Sequence, residues 1–440
     1  MDNYVTRFEK LGFGMFVHFG LYSVIGKGEW VLDSGKDIST EKCESTLPAR
    51  FKIAKNWAKE LVATAKKGGC KYITLTTRHH DGFSLYDTKG LNDYDAPHSA
   101  AKRDLIREFV DECNAQGIVP FFYHTLLDWH NKDFENDFPK YIDYLIKSVE
   151  ILCTNYGKIG GLWFDGMWSK PNENWQEDRL YSMIRKYQPE AMIINNTGLS
   201  ELGKVGHPEL DSVTFERGKP SFVDNSDRHR AGEMCQIFND HWGYAKEDIN
   251  YKSMGQILGD LVDCRHYNCN FLLNTGLMGN GKLRSFDKCY YEEIGKWIKK
   301  NKDFIYDVKD AEIEADNAYI MKSENGRYYA VIKDVPMAAN ANVQGSSDVK
   351  KVVLHTDRKI KSVKWLDNGK RVKVRKNSFD GEPFMYGRSW NVRVAEIVFE
   401  YFDFKSFLVF FLFRDVEALS FYSFFLAFPY GESGFYKRSE

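Results

Sequence analysis

This 440-residue sequence lacks two features: an excess of basic over acidic residues, and a long run of apolar residues. Lys and Arg number 61 against 62 Asp and Glu, whereas proteins that bind nucleic acids need a clear positive surplus. No apolar stretch reaches the roughly 18 residues of a membrane-spanning helix, and no apolar leader follows Met1. We therefore expect a cytoplasmic protein with neither a nucleic-acid partner nor a membrane partner.

A Cys-x-x-Cys pair, the spacing of many zinc and redox sites, is also missing. The eight cysteines are scattered along the chain, and several fall within apolar runs that are typical of buried helices and strands. We expect the cysteines to be reduced residues of the core.

Phenylalanine is abundant but unevenly distributed. Eleven of the 32 phenylalanines lie in residues 401–440, and residues 402–428 follow neither the helical nor the strand period. The longest apolar run there, residues 407–413, ends at Arg414 and Asp415. We predict that residues 401–440 are a Phe-rich tail appended to the folded domains.

The first 300 residues alternate short apolar runs with segments of helical period, which is the pattern of βα units. The helical period is clearest at residues 105–113 and 142–153, and these segments stop before Gly117 and Gly157. The eight candidate strands are residues 14–18, 72–76, 118–123, 161–165, 192–195, 213–215, 234–237 and 271–274. Eight units of this kind predict a (β/α)8-type barrel over residues 1–304. A doubly wound open sheet is the alternative, but no Gly-x-Gly-x-x-Gly follows the first strand.

The period changes from helical to alternating after about residue 305. Short strand-like segments such as residues 327–332 and 392–399 are joined by turn residues, for example Asn325-Gly326. This pattern predicts a small antiparallel β-sandwich over residues 305–400. The predicted fold class is therefore α/β, a barrel followed by a β-sandwich.

Four consecutive strands of the predicted barrel end in polar and aromatic residues. The active site of such a barrel lies at the carboxyl ends of its strands, so these ends are the candidate site. A single His there is more often structural, and an Asp-Gly pair is usually a turn. Four such ends in series indicate a functional site instead. The residues concerned are His18 with Glu29 and Trp30, His79 with His80, Tyr123, and Trp163 with Asp165.

Two chemistries fit this set of residues. A metal ion could bind to His18, His79 and His80, yet adjacent residues of an extended strand point to opposite sides and no His-x-His pair occurs. A sugar fits better, because its hydroxyls need donors and acceptors while its C–H face stacks on indole rings. Trp30 and Trp163 could equally be packing residues of the barrel top. A metal-dependent barrel hydrolase and a non-catalytic carbohydrate-binding protein remain the alternatives.

Several motifs carry a resemblance to a known family. They are His18–Ser23, Gly28–Trp30, Lys71–Phe83, Leu126–His130, Gly161–Gly166, Gly232–Gln236 and Trp242–Tyr244. In this order they resemble the retaining α-L-fucosidases of glycoside hydrolase family 29, over about residues 8–300. The resemblance implies a barrel followed by a β-sandwich and removal of terminal α-L-fucose from a fucosylated glycan. It implies no metal and no cofactor.

The resemblance also implies roles for individual residues. Asp165 matches the nucleophile that forms a covalent fucosyl intermediate, and Glu233 matches the acid/base. Glu216 competes with Glu233 for that second role, and otherwise belongs to the substrate-binding set. In retaining enzymes the two carboxyl groups are about 5–5.5 Å apart. The residues implied to bind the sugar are His18, Glu29, Trp30, His79, His80, Tyr123, Trp163, Glu216 and Arg217, of which Arg217 is expected to contact the nucleophile or the substrate.

Overall fold

The computed structural model describes residues 3–33, 44–335, 337–338, 349–381, 384–385 and 390–400. The predicted Phe-rich tail, residues 401–440, lies outside the described residues, as does Cys43. Within the described part of the chain, no helix is both long enough and apolar enough to cross a bilayer.

Eight parallel strands close into a barrel in chain order, with the first strand paired to both the second and the eighth. The strands are β1 (Phe13–His18), β2 (Tyr72–Arg78), β3 (Val119–Thr125), β4 (Gly161–Asp165), β5 (Met192–Asn195), β6 (Ser212–Thr214), β7 (Ala231–Ile237) and β8 (Cys269–Gly276). The predicted barrel is confirmed.

Several strands are longer than the apolar runs that predicted them. β2 continues to Arg78, β3 continues to Thr125, and β7 begins at Ala231 rather than near residue 234. Parallel strands hydrogen-bond through the backbone, so the ladder continues through polar residues that an apolar pattern does not count. The additional residues at the carboxyl ends of β2 and β3 belong to the barrel top.

Helices cover most of the barrel but not all of it. They are α1 (Tyr4–Glu9), α2 (Tyr22–Ile25), α3 (Trp57–Gly68), α4 (Leu105–Gln116), α5 (Asp133–Asn136), α6 (Phe138–Asn155), α7 (Glu177–Tyr187), α8 (Met254–His266) and α9 (Ser285–Ile305), with 3-10 turns at Pro48–Arg50 and Met167–Ser169. No helix joins β5 to β6 or β6 to β7. The chain around β6 is therefore mostly loop.

Local sequence explains where the helices begin and end. The Asp104 side chain accepts a hydrogen bond from the Arg107 backbone N–H at 2.9 Å, which caps the start of α4. Gly117 ends that helix with φ at +72°, a conformation that costs glycine little. At the other end of the barrel, Val5 and Phe8 of α1 pack in one buried cluster with Tyr72, so α1 closes the amino-terminal end.

The residues after α9 form β-sheets, which confirms the predicted fold class of a barrel followed by a β-sandwich. The predicted domain boundary at residue 305 stays a prediction. The strands are β9 (Val308–Asp310), β10 (Ala315–Asp316), β11 (Tyr319–Ser323), β12 (Tyr328–Ile332), β13 (Met337–Ala338), β14 (Lys350–Leu354), β15 (Ile360–Trp365), β16 (Arg371–Val372), β17 (Val374–Arg375), β18 (Ser378–Gly381), β19 (Phe384–Met385) and β20 (Arg393–Phe399). A six-stranded sheet has the order β16-β15-β20-β12-β11-β9, and a four-stranded sheet has the order β10-β14-β18-β17. Pairs such as β11–β12 and β12–β20 are antiparallel.

Side chains join the sheets to the barrel helices. The indole N–H of Trp297 in α9 donates to the Val392 carbonyl at 3.1 Å. The Tyr319 hydroxyl donates to Asp263 of α8 at 2.9 Å, and Lys333 pairs with the same carboxylate. These buried and half-buried contacts pack the β-sheets directly against α8 and α9.

None of the seven described cysteines forms a disulfide. Six of them are buried, and burial raises the pKa of their thiols, for example that of Cys70. Cys289 is exposed on α9, so the prediction of a core residue is wrong at this position. The helix α9 packs against α3, and Cys289 lies on the part of α9 that this packing leaves exposed.

Candidate active site

A pocket opens at the carboxyl ends of the barrel strands. Nine of the eleven predicted site residues line it; Glu233 and Arg217 do not. The lining residues are Phe16, His18, Glu29, Trp30, His79, His80, Tyr123, Trp163, Asp165, Trp168, Leu199, Glu216, Cys235 and Trp242.

Asp165 is the last residue of β4, and three donors hold its carboxylate. The Tyr123 hydroxyl donates to Oδ2 at 3.2 Å. The Trp168 indole N–H and the Asn196 amide donate to Oδ1 at 3.3 Å and 3.2 Å. Hydrogen bonds of this kind fix the carboxylate in one orientation at the mouth of the barrel.

Glu216 follows β6 and lies beside Asp165. The Asn196 amide nitrogen is 2.6 Å from Glu216 Oε2 and 3.2 Å from Asp165 Oδ1, so these two oxygens are at most about 5.8 Å apart. Burial raises the pKa of Glu216, and the negative charge of Asp165 raises it further, to about 7. The pocket thus holds two carboxyl groups, and about half of the Glu216 side chains are protonated at pH 7.

Asn196 was not among the predicted site residues. The Thr214 hydroxyl donates to its Oδ1 at 3.0 Å, which turns the amide nitrogen toward both carboxyl groups. A signal for it exists in the sequence, because the apolar run of β5 ends in two asparagines. Trp168 was missed as well, although it follows Asp165 by only three residues.

The histidines of the pocket are neutral. Burial lowers the pKa of His18 to about 3 and that of His80 to about 4, with Asp165 opposing the shift at His80. Burial also lowers the pKa of His79, whose ring stacks on Tyr123 with 5.6 Å between ring centroids. Neutral imidazoles offer one donor and one acceptor each, as sugar hydroxyls require.

Neighbouring groups select the tautomer of two histidines. Asn274 Nδ2 donates to the Trp242 carbonyl at 2.7 Å, so its Oδ1 faces His18 Nδ1 at 2.6 Å and accepts from it. The Thr125 hydroxyl donates to the Leu127 carbonyl, so its oxygen accepts from His80 Nδ1 at 2.7 Å. Nε2 of His18 is then the acceptor nitrogen, whereas Nε2 of His80 lies 3.6 Å from the Asp165 carboxylate oxygen Oδ2.

An aromatic rim, which we define as Trp30, Trp129 and Trp168, lies beside the mouth. The Trp30 ring centroid is 5.2 Å from that of Trp129 and 6.0 Å from that of Trp168. Trp30 is 42 % exposed and Trp168 is 37 % exposed. Below Trp30, Glu29 is buried and accepts from the Gly243 backbone N–H at 2.7 Å.

Glu233 lies under the pocket rather than in it. It is the third residue of β7 and is 1 % exposed, whereas Cys235, two residues further along the same face, lines the pocket. The Tyr72 hydroxyl and the Trp163 indole N–H donate to its two oxygens. The prediction that Glu233 is the acid/base finds no support in this geometry, because β7 begins three residues earlier than its apolar run.

Arg217 is also not brought into the pocket. Its side chain is exposed, and its backbone has φ at +53°. Its charge lowers the pKa of neighbouring Glu216, a smaller effect than those of burial and Asp165. The expected contact with the nucleophile is therefore not observed, and the expected contact with the substrate stays a prediction.

Metal binding was the other chemistry considered for the histidines. In the described ranges of the chain, no group of three or more His, Cys, Asp or Glu side chains has an arrangement that could hold a metal ion. Metal-free chemistry stays a prediction from the sequence.

Comparison with known proteins identifies the family. The model of the Alpha-L-fucosidase family matches residues 2–303, which is the whole barrel. The chain belongs to this family. It is therefore a glycoside hydrolase of the α-L-fucosidase type, as the motifs at the strand ends predicted.

Curated relatives are similar in sequence to this chain over most of its length. An alpha-L-fucosidase of Dictyostelium discoideum is 24 % identical over 365 residues, covering 75 % of this chain and 78 % of its own. The human tissue alpha-L-fucosidase is 25 % identical over 329 residues and covers 68 % of each chain. The similarity is distant in identity but extends beyond the barrel.

Solved structures share the fold. The alpha-L-fucosidase isoenzyme 1 of Paenibacillus thiaminolyticus superposes with a TM-score of 0.73 at 29 % identity, covering 90 % of this chain and 99 % of its own. An alpha-L-fucosidase of Bacteroides thetaiotaomicron gives a TM-score of 0.75 at 23 % identity, with 92 % and 96 % covered. The arrangement of a barrel followed by β-sheets is thus that of solved fucosidases.

Proposed function

We propose that this chain is an exo-acting, retaining α-L-fucosidase that removes terminal α-L-fucose from glycans, with Asp165 as nucleophile and Glu216 as acid/base. The observation that carries the proposal is the shared Asn196 amide, which limits the separation of the two carboxyl oxygens to about 5.8 Å. Retaining enzymes place these groups about 5–5.5 Å apart, and inverting enzymes need about 6.5–9.5 Å.

The pKa of Glu216 supports this division of roles. At a pKa of about 7 it carries a proton for the leaving oxygen while Asp165 attacks the anomeric carbon. Once Asp165 is esterified, its negative charge is gone and the pKa of Glu216 falls. Glu216 then accepts a proton from the water that releases fucose.

The buried lining of the pocket supports exo action. Phe16, Trp163 and Cys235 line the pocket and are buried. A pocket with a buried lining suits a terminal sugar, and we propose exo action on this ground. His18, with its Nε2 acceptor, provides a contact for a sugar hydroxyl, and His80 Nε2 lies 3.6 Å from Asp165 Oδ2.

A related structure supports the covalent intermediate. In a Bacteroides thetaiotaomicron alpha-L-fucosidase, 22 % identical to this chain, a covalent intermediate was trapped with 2-fluoro-fucosyl fluoride in a Glu-to-Gln variant. We propose the same sequence of steps here. The cytoplasmic location remains a prediction from the sequence.

Retention is tested by the anomer that forms first. We expect proton NMR of the reaction on an aryl α-L-fucoside to detect α-L-fucose before mutarotation produces the β anomer, because two inversions at one carbon restore the configuration. Early β-L-fucose would exclude double displacement. A wild-type chain that releases no fucose but binds it would favour the non-catalytic alternative.

The aromatic rim predicts a preference for glycan substrates. We expect Trp30→Ala to lower kcat/KM for fucosylated oligosaccharides by about tenfold and for α-L-fucosyl fluoride by less, because stacking on an indole contributes about 0.5–1.5 kcal/mol. The kinetics of both substrates with the variant measure this difference. Phe222→Ala is the matched control, since Phe222 is 58 % exposed but does not line the pocket. Equal losses on the two substrates would contradict stacking with the second sugar.

A further inference from the structure

A carboxyl group with no role in the proposed reaction lies inside the barrel. Glu233 Oε1 accepts from the Trp163 indole N–H at 2.9 Å, and Oε2 is hydrogen-bonded to the Tyr72 hydroxyl. All three side chains are buried, at most 2 % exposed. Both oxygens of Glu233 therefore have partners below the floor of the pocket.

The barrel provides space for this group. A Cβ atom on Gly14 of β1 would lie 2.4 Å from the Tyr72 ring, so any side chain there would displace the tyrosine. The Tyr72 ring also packs against Phe121, with 5.2 Å between centroids. Glycine at position 14 thus permits Tyr72 to reach across the barrel to Glu233.

The other partner of Glu233 belongs to the sugar pocket. Trp163 lines the pocket and stacks on Tyr123, with 5.7 Å between ring centroids and 20° between ring planes. The Tyr123 hydroxyl in turn donates to Asp165 Oδ2 at 3.2 Å. The indole is thus linked to Glu233 on one side and to the nucleophile's donor on the other.

We propose that Glu233 is a positioning residue, which fixes the Trp163 indole beneath the sugar and thereby keeps Tyr123 aligned with Asp165. This inference rests on the proposed fucosidase function. The buried indole N–H has no hydrogen-bond partner other than this carboxyl group in the described residues, and an unsatisfied buried donor destabilises the arrangement that contains it.

The chemistry of the contact explains why a carboxamide can replace the carboxyl group. In Glu233→Gln the amide oxygen accepts from Trp163 and the amide nitrogen donates to the Tyr72 oxygen, so both contacts survive. In Glu233→Leu, which is similar in size, both donors lose their acceptor. In Trp163→Phe the ring stack on Tyr123 remains but the N–H is lost.

The test compares these three variants on 4-nitrophenyl α-L-fucoside and measures inhibition by L-fucose. We expect Glu233→Gln to stay within about threefold of the wild type in kcat and KM. Glu233→Leu and Trp163→Phe should each raise KM and the fucose inhibition constant by about tenfold, with a smaller loss in kcat. The double variant should be no worse than Glu233→Leu alone, because both changes remove the same hydrogen bond.

Two outcomes would overturn the proposal. The first is an unchanged KM in Trp163→Phe or in folded Glu233→Leu. The second is a loss of activity in Glu233→Gln that is confined to substrates with poor leaving groups, because that loss is expected when an acid/base residue is replaced. The indole ¹⁵N–¹H resonance of Trp163, assigned by its loss in Trp163→Phe, gives a readout that needs no activity. If the wild type released no fucose, the proposed function would fail, whereas a Trp163 resonance shifted in Glu233→Leu and retained in Glu233→Gln would still support the positioning role.

Discussion

Replacing Asp165 by Asn is expected to lower kcat/KM for an aryl α-L-fucoside by at least about 10³-fold. The amide has nearly the same shape as the carboxylate and can keep the contact with the Tyr123 hydroxyl, but it cannot attack the anomeric carbon. The loss should therefore appear in kcat without a loss of folding. Steady-state kinetics together with a thermal unfolding curve separate these two effects.

Chemical rescue identifies the role of Asp165 more sharply than the loss itself. In Asp165→Ala, azide should enter the space of the missing carboxylate, restore turnover of a substrate with a good leaving group and give the β-L-fucosyl azide, which has inverted configuration. Asp143→Asn is a matched control, because Asp143 is an exposed carboxylate on α6. Full activity in Asp165→Ala would end the assignment of the nucleophile.

The barrel could be predicted from the sequence because its signals are local. Apolar runs mark the strands, and Gly117 and Asp104 mark the ends of α4. The place of Asp165 in the pocket could be predicted too, since it directly ends a well-defined apolar run. The strands' full lengths could not, because backbone hydrogen bonding in the barrel continues past the last apolar residue.

Which of the two residues, Glu216 or Glu233, lies in the pocket depends on how neighbouring strands pair, and local sequence does not report this pairing. β6 has only three residues and loops on both sides, so the position of Glu216 is set by its neighbours β5 and β7. Glu233 belongs to a motif at a strand, but β7 begins at Ala231, which places Glu233 below the pocket. Cys235, which lines the pocket, follows Glu233 by two residues on the same strand, a distance of about 6.6 Å.

The role of the Asn196 amide could not be predicted from local sequence either. Its importance comes from bridging Asp165 and Glu216, which are 51 positions apart in the sequence. Distances across a barrel top depend on how the strands close, and no pattern along the chain reports them.

The replacement Glu216→Gln is expected to have the second large effect, and its size should depend on the leaving group. For substrates with poor leaving groups, such as natural fucosides, kcat/KM should fall by about 10²–10⁴-fold, because the departing oxygen then leaves without a proton. For aryl fucosides with acidic phenols the loss should be much smaller. A series of aryl fucosides of graded phenol pKa measures this dependence.

The pH profile provides an independent check on the same residue. Burial and the charge of Asp165 raise the pKa of Glu216 to about 7, and the acid acts only while it is protonated. Wild-type kcat/KM should therefore fall as the pH rises through about 7, and this basic limb should disappear in Glu216→Gln. Glu233→Gln is the matched control, since the pKa of Glu233 is also about 7 but its carboxyl group is bound to Tyr72 and Trp163. If the basic limb and the leaving-group dependence respond to Glu233→Gln instead, the acid/base role returns to Glu233 and the geometry of the free pocket is not that of the reacting complex.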